Sequence, residues 1–393
     1  RHQVKALAQL QQPLRVEPGS ALVGAQREGY WPVRDLRRGD VKQGPALPFG
    51  QGWNDRPRIP AVGQDAVLPI VVGKGVGPLL CLRLPDIRYL GIHFIHARSP
   101  HDDAFPLVIT HGWPGSVVEF HKVIDALTAP AALGGSAADA FHLVIPSLPG
   151  YGFSGKPREQ GTSAEKIGRM WGQLMARLGY ERYVAQGGDW GALITQSMGQ
   201  TETTHCAAIH VTMPIVEPDP DTMNDLTERE QSALEGMAFY SEWDSGYSKQ
   251  QSTRPQTLGY GLADSPVGQM AWIIEKFYAW TDCEKDGSRH PENILGRDEL
   301  LDNVMLYWLN NSAASSARLY WESFHNPNRD PIDMPTGCSI FPRELFRSSR
   351  RWAERRFSNL IYWNELDRGG HFAALEQPDL FVEEVRNCFR GLR

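Results

Sequence analysis

The chain has 393 residues, which on length alone predicts two or three domains with a large core. Its 40 Lys and Arg against 46 Asp and Glu give a formal net charge of −6, which argues against nucleic acid as the main partner because phosphate binding needs clustered basic side chains. The sequence contains no run of about 18 apolar residues, so it predicts no membrane span. The chain begins at Arg1 rather than Met, which leaves open a signal or an anchor ahead of it.

The five cysteines are odd in number and widely spaced, and no two of them form a Cys-x-x-Cys pair. This pattern favours buried free thiols in a reducing, cytoplasmic compartment over a disulfide framework. The five are Cys81, Cys206, Cys283, Cys338 and Cys388.

Residues 1–89 are the least regular part of the chain. They are rich in Gly, Pro, Gln and Arg and show no sustained helical or strand periodicity. We therefore expect an N-terminal meander that packs on the core and the lid of the protein.

From residue 90 onward, short apolar and β-branched runs bounded by Gly and Pro predict buried strands. A capping-box pattern at Thr162–Glu165, apolar residues at helical spacing and a stop at Gly179 predict a helix between the last two of these strands. Alternating strands and helices favour a mostly parallel sheet whose ligands bind beyond the carboxyl ends of its strands. The four runs are Ile92–Ile95, Pro106–Thr110, Phe141–Ile145 and Tyr183–Ala185.

The rhythm changes after Pro214. Residues 215–330 have a helical pattern throughout, and strands return at Gly337–Phe341 and Asn359–Tyr362 before an amphipathic helix near Asp379–Phe389. The predicted organisation is an α/β sheet interrupted by a helical lid and then completed.

The string Gln186-Gly-Gly-Asp-Trp-Gly191 lies directly after a predicted strand and before a predicted helix. Small residues flank Asp189 as they flank the apex of a nucleophile elbow, and the chain has no Gly-x-Ser-x-Gly string for a serine nucleophile. The alternative is a plain turn in which Asp189 is a helix N-cap. A carboxylate, with a reference pKa of about 4, is ionised at neutral pH and can attack a saturated carbon to form an ester.

Hydrolysis of such an ester needs a base. His371, in Arg368-Gly-Gly-His-Phe372, follows the last predicted strand, and a neutral imidazole suits proton abstraction from water. Glu344, just past the preceding strand, is favoured as the acid that orients this imidazole. The alternatives are Glu365 and Asp367, which share the loop of His371, and then Asp219, Asp221 and Asp225.

The string His111-Gly-Trp-Pro-Gly115 follows the predicted strand Pro106–Thr110. A Gly-rich turn there would aim the backbone N–H of Trp113 at a developing oxyanion, with the N–H of Trp190 as the second donor. A simple β-turn is the alternative. The aromatic content around these motifs also predicts a mainly apolar pocket, with Trp113 and Trp190 in its wall.

Six strings together resemble the epoxide hydrolases of the α/β-hydrolase fold, specifically the microsomal type. They span residues 90–393 and are jointly specific, whereas residues 1–85 match the usual opening segment of that family poorly. The strings are His111-Gly-Trp-Pro-Gly-Ser116, Ser147-Leu-Pro-Gly-Tyr-Gly-Phe-Ser154, Gly187-Gly-Asp-Trp-Gly191, Asp264-Ser-Pro-Val-Gly268, Phe341-Pro-Arg-Glu-Leu345 and Gly369-Gly-His-Phe-Ala-Ala-Leu375.

The resemblance implies a mostly parallel central sheet flanked by helices, with the lid inserted. The resulting division is a meander at 1–89, a first core part at 90–214, a lid at 215–330 and a second core part at 331–393. The resemblance also supports Glu344 as the acid. It implies two lid tyrosines that donate hydrogen bonds to the epoxide oxygen, and by motif position these are Tyr247 and Tyr320.

The expected activity is therefore the hydrolysis of an apolar epoxide to a vicinal diol through a covalent ester on Asp189. It requires an epoxide and water as partners and no metal or organic cofactor. The alternatives are a haloalkane dehalogenase with the same triad and a non-catalytic protein that binds a hydrophobic ligand on this fold. The sequence does not choose between detoxification and natural-product biosynthesis as the setting.

A cluster of arginines near the C-terminus predicts a solvated helix face, with a contact in a homo-oligomer as the alternative. Its members are Arg347, Arg350, Arg351, Arg355 and Arg356.

Overall fold

The structure is a computed structural model that describes residues 68–70, 79–87, 90–324 and 328–393, with side chains described from residue 90 onward. Within these ranges nine strands form one sheet, and two more form a separate hairpin. The sheet strands are β1 (Leu68–Ile70), β2 (Leu79–Ile87), β3 (Leu90–Ala97), β4 (Phe105–Thr110), β5 (Phe141–Pro146), β6 (Tyr183–Gly187), β7 (Cys206–Val211), β10 (Thr336–Ile340) and β11 (Leu360–Glu365), and the hairpin is β8 (Glu284–Lys285) with β9 (Ser288–Arg289).

The strand order is β1-β2-β3-β5-β4-β6-β7-β10-β11. The strands from β5 to β11 in this order pair in parallel, whereas β1, β2 and β3 join the sheet antiparallel. All residues of β5, β6 and β10 are buried, as expected of apolar runs in a sheet that is covered on both faces. The predicted mostly parallel sheet is confirmed.

Helices cover the sheet and make up most of the described stretch between β7 and β10. The short elements among them include a 3₁₀ turn at Val117–Phe120 and a π-helical turn at Tyr240–Asp244. The α-helices are α1 (Ile124–Thr128), α2 (Ala164–Arg177), α3 (Trp190–Thr201), α4 (Glu228–Phe239), α5 (Gly246–Thr253), α6 (Pro255–Asp264), α7 (Pro266–Trp280), α8 (Arg297–Leu309), α9 (Ala313–Ser323), α10 (Arg350–Ala353), α11 (Ala373–Glu376) and α12 (Pro378–Phe389).

The core lies on the two faces of the sheet, and alternate strand residues enter opposite sides of it. Val108 of β4 belongs to the same buried cluster as Ile167 and Trp171 of α2. Its neighbours Leu107 and Ile109 belong to a second buried cluster. The described residues all belong to one compact unit, which includes the sheet and the helices between β7 and β10. None of the described helices combines the length and apolar character that a membrane span requires.

Parallel pairing brings the ends of four strands to the same edge of the sheet. Thr110 at the end of β4 pairs with Gly187 at the end of β6, and Ile340 of β10 pairs with Glu365 of β11. Ligands of such sheets bind beyond this edge. The loops that follow these strands carry Trp113, Asp189, Glu344 and His371.

Two strands lie where the sequence predicts none. Leu68–Ile70 and Leu79–Ile87 fall within the predicted meander at 1–89, and β2 pairs antiparallel with β3. Periodicity misses β2 because its partner strand, and not an internal alternation of polar and apolar residues, decides its conformation. The rest of the predicted meander lies outside the described residues.

The segment 215–330 also departs from the prediction that it is helical throughout. Its described part contains the hairpin β8–β9, joined by Asp286 and Gly287 at φ 52° and 75°. An Asp-Gly pair with two positive φ angles is the favoured two-residue hairpin turn, so the sequence did contain the signal.

The helix α2 begins one residue later than its capping pattern predicts. Its N-cap is Ser163, whose hydroxyl accepts from the N–H of Lys166, so Glu165 does not close a capping box with Thr162. Either hydroxyl could serve as a cap, and the burial of Ile167 and Trp171 against the sheet sets the register. The predicted stop at Gly179 agrees with its φ of 82°.

The predicted solvated helix face holds only for Arg350, which is exposed and pairs with Glu354 four residues on, whereas the other four arginines bond a distant segment. Arg347 donates to the carbonyl of Ser232, and Arg351 pairs with Glu230. Arg355 donates to the carboxylate of Asp219, and Arg356 donates to the carbonyl of Ile215. Each of these four arginines has an acceptor in residues 215–232, which the local sequence around the arginines does not reveal. These arginines tie the start of the helical segment to the second core part.

The prediction of buried free thiols holds for the four cysteines whose side chains are described. Cys206, Cys283, Cys338 and Cys388 are all free and buried.

Candidate active site

Asp189 occupies a strained turn between β6 and α3. Its φ of 50° and ψ of −126° lie in a region that non-glycine residues rarely adopt. A Cβ at Gly187 would lie 2.1 Å from the carbonyl oxygen of Gly191, and a Cβ at Gly191 would lie 1.9 Å from that of Thr110. The small residues on both sides of Asp189 are therefore a steric requirement of this turn.

The side chain of Asp189 does not cap the helix that follows it. It makes no capping hydrogen bond to α3, and its Oδ1 instead accepts from the backbone N–H of Trp113 at 2.8 Å. The alternative of Asp189 as a plain N-cap is therefore wrong. A Cβ at Gly112 would lie 2.1 Å from this Oδ1, so Gly112 permits the close approach of the two loops.

The structure brings the three predicted triad residues together. Nε2 of His371 lies 3.3 Å from Oδ2 of Asp189, and Nδ1 of His371 lies 2.7 Å from Oε1 of Glu344. The side chains of His371 and Glu344 are almost fully buried, and that of Asp189 is 13% exposed. The acid and the base are held together by their loops, since the N–H of Arg343 donates to the carbonyl of Gly369 at 3.2 Å.

The alternative acids are engaged elsewhere. Asp219 and Asp221 face Arg355, and Asp225 faces Arg351. Glu365 pairs with Arg229 and accepts from the indole N–H of Trp363, and Asp367 pairs with Arg368. Of the candidate acids, Glu344 is the one that forms a hydrogen bond with His371, as predicted. Among the described side chains, no group of three His, Cys, Asp or Glu residues is arranged to hold a metal ion.

The two carboxylates determine the charge of His371. Burial alone disfavours the imidazolium, but Glu344 and Asp189 outweigh it and hold the pKa of His371 well above its usual value. His111 behaves differently, because burial lowers its pKa to about 4. Neutral His111 bonds the carbonyl of Gly112 and accepts from the N–H of Leu148, so it supports the loop that carries Trp113.

Trp190 is the first residue of α3, where a backbone N–H has no partner inside the helix. This N–H is therefore free to serve a ligand at Asp189. The indole rings of Trp113 and Trp190 are buried and meet the two predicted tyrosines. The ring of Tyr247 stacks on that of Trp113 at 4.8 Å, and the ring of Tyr320 meets that of Trp190 edge-on at 4.7 Å.

Tyr247 of α5 and Tyr320 of α9 face each other, with 5.8 Å between their ring centroids. Both are buried, and burial together with Asp189 raises the pKa of each phenol well above its usual value. Both phenols are therefore hydrogen-bond donors at neutral pH.

Several polar groups around the site are not evident from the sequence. The hydroxyl of Tyr240 lies 3.2 Å from that of Tyr247, and burial raises the pKa of Glu119 and Glu376 to about 8 and about 7. The spacing of seven residues between the two tyrosines, two helical turns, is a usable signal. Neither glutamate stands in a motif that would mark it.

Two family models match the chain. The alpha/beta hydrolase fold model matches residues 106–242, and the model for the epoxide hydrolase N terminus matches residues 83–120.

Similar proteins carry the same activity in their names. A protein of Stigmatella aurantiaca (strain DW4/3-1) described as an epoxide hydrolase is 55% identical over 316 residues, which cover 79% of this chain and 71% of the relative. Epoxide hydrolase 1 of Oryctolagus cuniculus is 37% identical over 328 residues, which cover 76% of this chain and 72% of the relative.

The solved structure of the Aspergillus niger epoxide hydrolase matches with a TM-score of 0.71 at 32% identity, and the match covers 80% of this chain and 79% of that one. The predicted fold and the resemblance to epoxide hydrolases are confirmed. The chain belongs to the epoxide hydrolase family of the α/β-hydrolase fold, and it is a hydrolase that acts on epoxides.

Proposed function

We propose that Asp189 opens the epoxide and that His371, oriented by Glu344, then activates the water that hydrolyses the resulting ester. The observation that carries this proposal is the continuous contact from Oδ2 of Asp189 through the imidazole to Oε1 of Glu344, with links of 3.3 and 2.7 Å. Covalent hydrolysis requires a nucleophile, a base and an orienting acid that contact one another in this order.

The two carboxylate oxygens of Asp189 take different roles. Oδ1 accepts from the N–H of Trp113 and becomes the carbonyl oxygen of the ester, which the N–H groups of Trp113 and Trp190 stabilise when water adds to the carbonyl carbon. Oδ2 forms the bond to the epoxide carbon. Water attacks the ester carbonyl next to Nε2 of His371, so Oδ2 leaves with the diol.

The first step prepares the base for the second. In the free enzyme Asp189 and Glu344 both favour the protonated imidazole. Ester formation removes the charge of Asp189, so the pKa of His371 falls, the imidazolium releases its proton to solvent, and the imidazole is neutral when it is needed as a base. One carboxylate thus serves as the nucleophile and controls the protonation of the base.

Tyr247 and Tyr320 hold the epoxide oxygen and supply the proton that the alkoxide takes. Two protonated phenols on one side of the site suit an alkoxide better than a halide ion, which supports epoxide over haloalkane chemistry. Buried aromatic rings surround the site, among them Trp113, Trp190 and Trp280. This wall supports an apolar substrate.

The segment 215–330 acts as the lid over the sheet edge, in the division of the chain given by the sequence. Its helix α8 supports this role, because Asn303 donates to the carbonyl of Pro114 at 2.8 Å and Tyr307 donates to that of Gly115 at 2.7 Å. The lid would then hold in place the loop that carries the Trp113 N–H. The same lid also carries the two phenols.

The partners of the reaction are the epoxide and water. A cytoplasmic location is supported by the four free buried cysteines, which suit a reducing compartment.

A single turnover in ¹⁸O-water, with enzyme in excess over the epoxide, tests the proposed route. In the first turnover the new diol oxygen should come from Asp189 and carry no label, whereas a parallel reaction with the epoxide in excess should deliver labelled diol in its later turnovers. Label in the diol of the first turnover would mean direct attack by water. Asp189→Ala serves as the control and should form no diol.

A further inference from the structure

A buried lysine lies behind the ring of Tyr247. Lys276 of α7 is 2% exposed, and its Nζ lies 4.6 Å from the centroid of the Tyr247 ring and 5.5 Å from that of Trp280. Lysine is rarely buried to this extent unless it is paired. The two-step mechanism gives this cation no role.

The charge of Lys276 is held by two carboxylates. Its ammonium lies 2.6 Å from Oδ1 of Asp244 and 2.7 Å from Oε1 of Glu275. The side chain of Glu275 is 58% exposed, so solvent screens it, whereas Asp244 is 15% exposed and also accepts from the indole N–H of Trp280 at 2.6 Å. The ammonium therefore contacts two carboxylates and also lies over the phenol ring.

Ring opening moves negative charge toward this cation. As the bond from Asp189 to carbon forms and the epoxide C–O bond breaks, charge passes from the carboxylate to the oxygen that Tyr247 holds. When the phenol gives its proton to that oxygen, the charge becomes phenolate and spreads into the ring. A cation within about 6 Å of a ring centroid is attracted to the ring, and the attraction strengthens in a site that excludes water.

We propose that Lys276 is a positioning residue that accelerates ring opening by stabilising negative charge on Tyr247. It interacts more strongly with the transition state than with the free enzyme, which is the condition for a higher rate. This inference rests on the proposed function, since it takes Tyr247 as the proton donor. It also predicts that Lys276 has little influence on the hydrolysis of the ester.

The test removes the charged pair as a unit. Lys276→Met alone would leave the Asp244 carboxylate without its cation, so the main variant is Asp244→Asn/Lys276→Met, in which the amide oxygen at position 244 can still accept from Trp280. Stopped-flow tryptophan fluorescence, reported by Trp113 and Trp190, follows ring opening and ester hydrolysis separately with an epoxide such as styrene oxide. Ring opening should slow about tenfold, as expected for a buried cation over an aromatic ring, and the rate of ester hydrolysis should stay close to that of the wild type.

Two further variants separate this effect from a loss of packing. Lys276→Arg keeps a cation over the ring and should recover most of the rate. Lys156→Met removes an exposed lysine that bonds the carbonyls of Asn310 and Asn311 at 2.7 Å, and it should not change ring opening. Circular dichroism of each variant verifies that the protein is folded.

The decisive comparison repeats the pair removal in Tyr247→Phe. If Lys276 acts through the phenol, the extra loss should almost vanish there, because a phenylalanine ring carries no phenolate charge. An equal loss in both backgrounds, or no loss in the wild type, would overturn the inference and leave the roles of Asp189 and His371 intact. A Tyr247→Phe variant with an unchanged rate of ring opening would overturn it too, and would also remove Tyr247 from the proposed mechanism. Diol formation by Asp189 is measured independently in the ¹⁸O experiment.

Discussion

Glu376 and Asp282 join the loop of His371 to the end of helix α7. The N–H of Asp282 donates to Oε2 of Glu376 at 2.8 Å, and the N–H of Gly369 donates to Oδ2 of Asp282 at 2.9 Å. Oε1 of Glu376 accepts from the N–H of Phe372 at 2.8 Å, and the N–H of His371 donates to the carbonyl of Trp280 at 3.0 Å. The position of His371 therefore depends on a buried carboxylate five residues after it.

Glu376→Gln should slow ester hydrolysis about tenfold and ring opening much less, because a misplacement of the base by a fraction of an ångström is costly for proton transfer. An amide has one acceptor oxygen where the carboxylate has two, so one of the two N–H groups loses its partner. Stopped-flow measurement of both steps tests this. Equal slowing of both steps would show that Glu376 supports the whole site and not the base loop in particular.

Glu376 also predicts a pH dependence of stability. Burial raises its pKa from 4.5 to about 7, so between these values the folded protein binds a proton that the unfolded chain has lost. The free energy of unfolding should therefore fall as pH rises through this window, with a contribution of about 3 kcal/mol from this group. Urea titrations at pH values below, within and above this window measure the free energy of unfolding. It should fall less steeply with pH in Glu376→Gln than in the wild type, and parallel curves would contradict the assignment.

Glu344→Gln should leave ring opening within about fivefold of the wild-type rate and slow ester hydrolysis by up to about 10⁴-fold, the cost of losing the orienting acid in a serine protease triad. The loss of one carboxylate should also lower the pKa of His371, because Glu344 is a cause of its elevation. Titration of the imidazole by ¹⁵N NMR measures this shift. Asp367→Asn, an exposed acid on the loop of His371, is the matched control and should change neither quantity.

Gly191→Ala should destabilise the protein by at least about 3 kcal/mol or prevent folding, because the new Cβ would lie 1.9 Å from the carbonyl oxygen of Thr110 and overpacking against backbone cannot relax. The control is Gly261→Ala in α6, where a Cβ meets no atom within 4 Å. That change should stabilise the helix by about 0.5–1 kcal/mol. Denaturant unfolding of both variants measures the difference, and similar values for the two would contradict the steric account of the elbow.

Tyr307→Phe should reduce stability by about 1–3 kcal/mol, because the buried carbonyl of Gly115 loses the hydroxyl that donates to it at 2.7 Å. It should also slow ester hydrolysis severalfold, since the same loop carries the N–H of Trp113. Tyr260→Phe removes a hydroxyl from a side chain that is 70% exposed and should change neither property. Thermal unfolding and the two stopped-flow rates provide the comparison. An unchanged rate of ester hydrolysis in Tyr307→Phe would show that the contact of Tyr307 with Gly115 does not position the N–H of Trp113.

The sequence predicts the parts of the site that depend on strand ends. Asp189, Glu344 and His371 each follow a strand of a parallel sheet, and parallel strands necessarily bring their carboxyl ends to one edge. The elbow is recognisable because the steric demand for Gly187 and Gly191 appears in the chain itself. The two lid tyrosines come only from the positions of family motifs.

Features that depend on contacts between distant segments are not predictable from local patterns. Strand β2 exists because β3 pairs with it, and the C-terminal arginines find their partners in residues 215–232. Glu376 and Lys276 have no sequence signature, because their burial follows from how helix α7 meets the loop of His371 and the ring of Tyr247. A charged residue in an amphipathic helix is ordinarily predicted to be solvated.

The covalent ester on Asp189 is the central claim, and intact-protein mass spectrometry of His371→Gln tests it most directly. Without its base this variant should open the epoxide once and fail to hydrolyse the ester, so its mass should rise by the mass of one epoxide. Peptide mapping should place the adduct on Asp189, and Asp189→Asn/His371→Gln should show none. Diol formation by His371→Gln without any mass increase, or an adduct at another residue, would contradict the account.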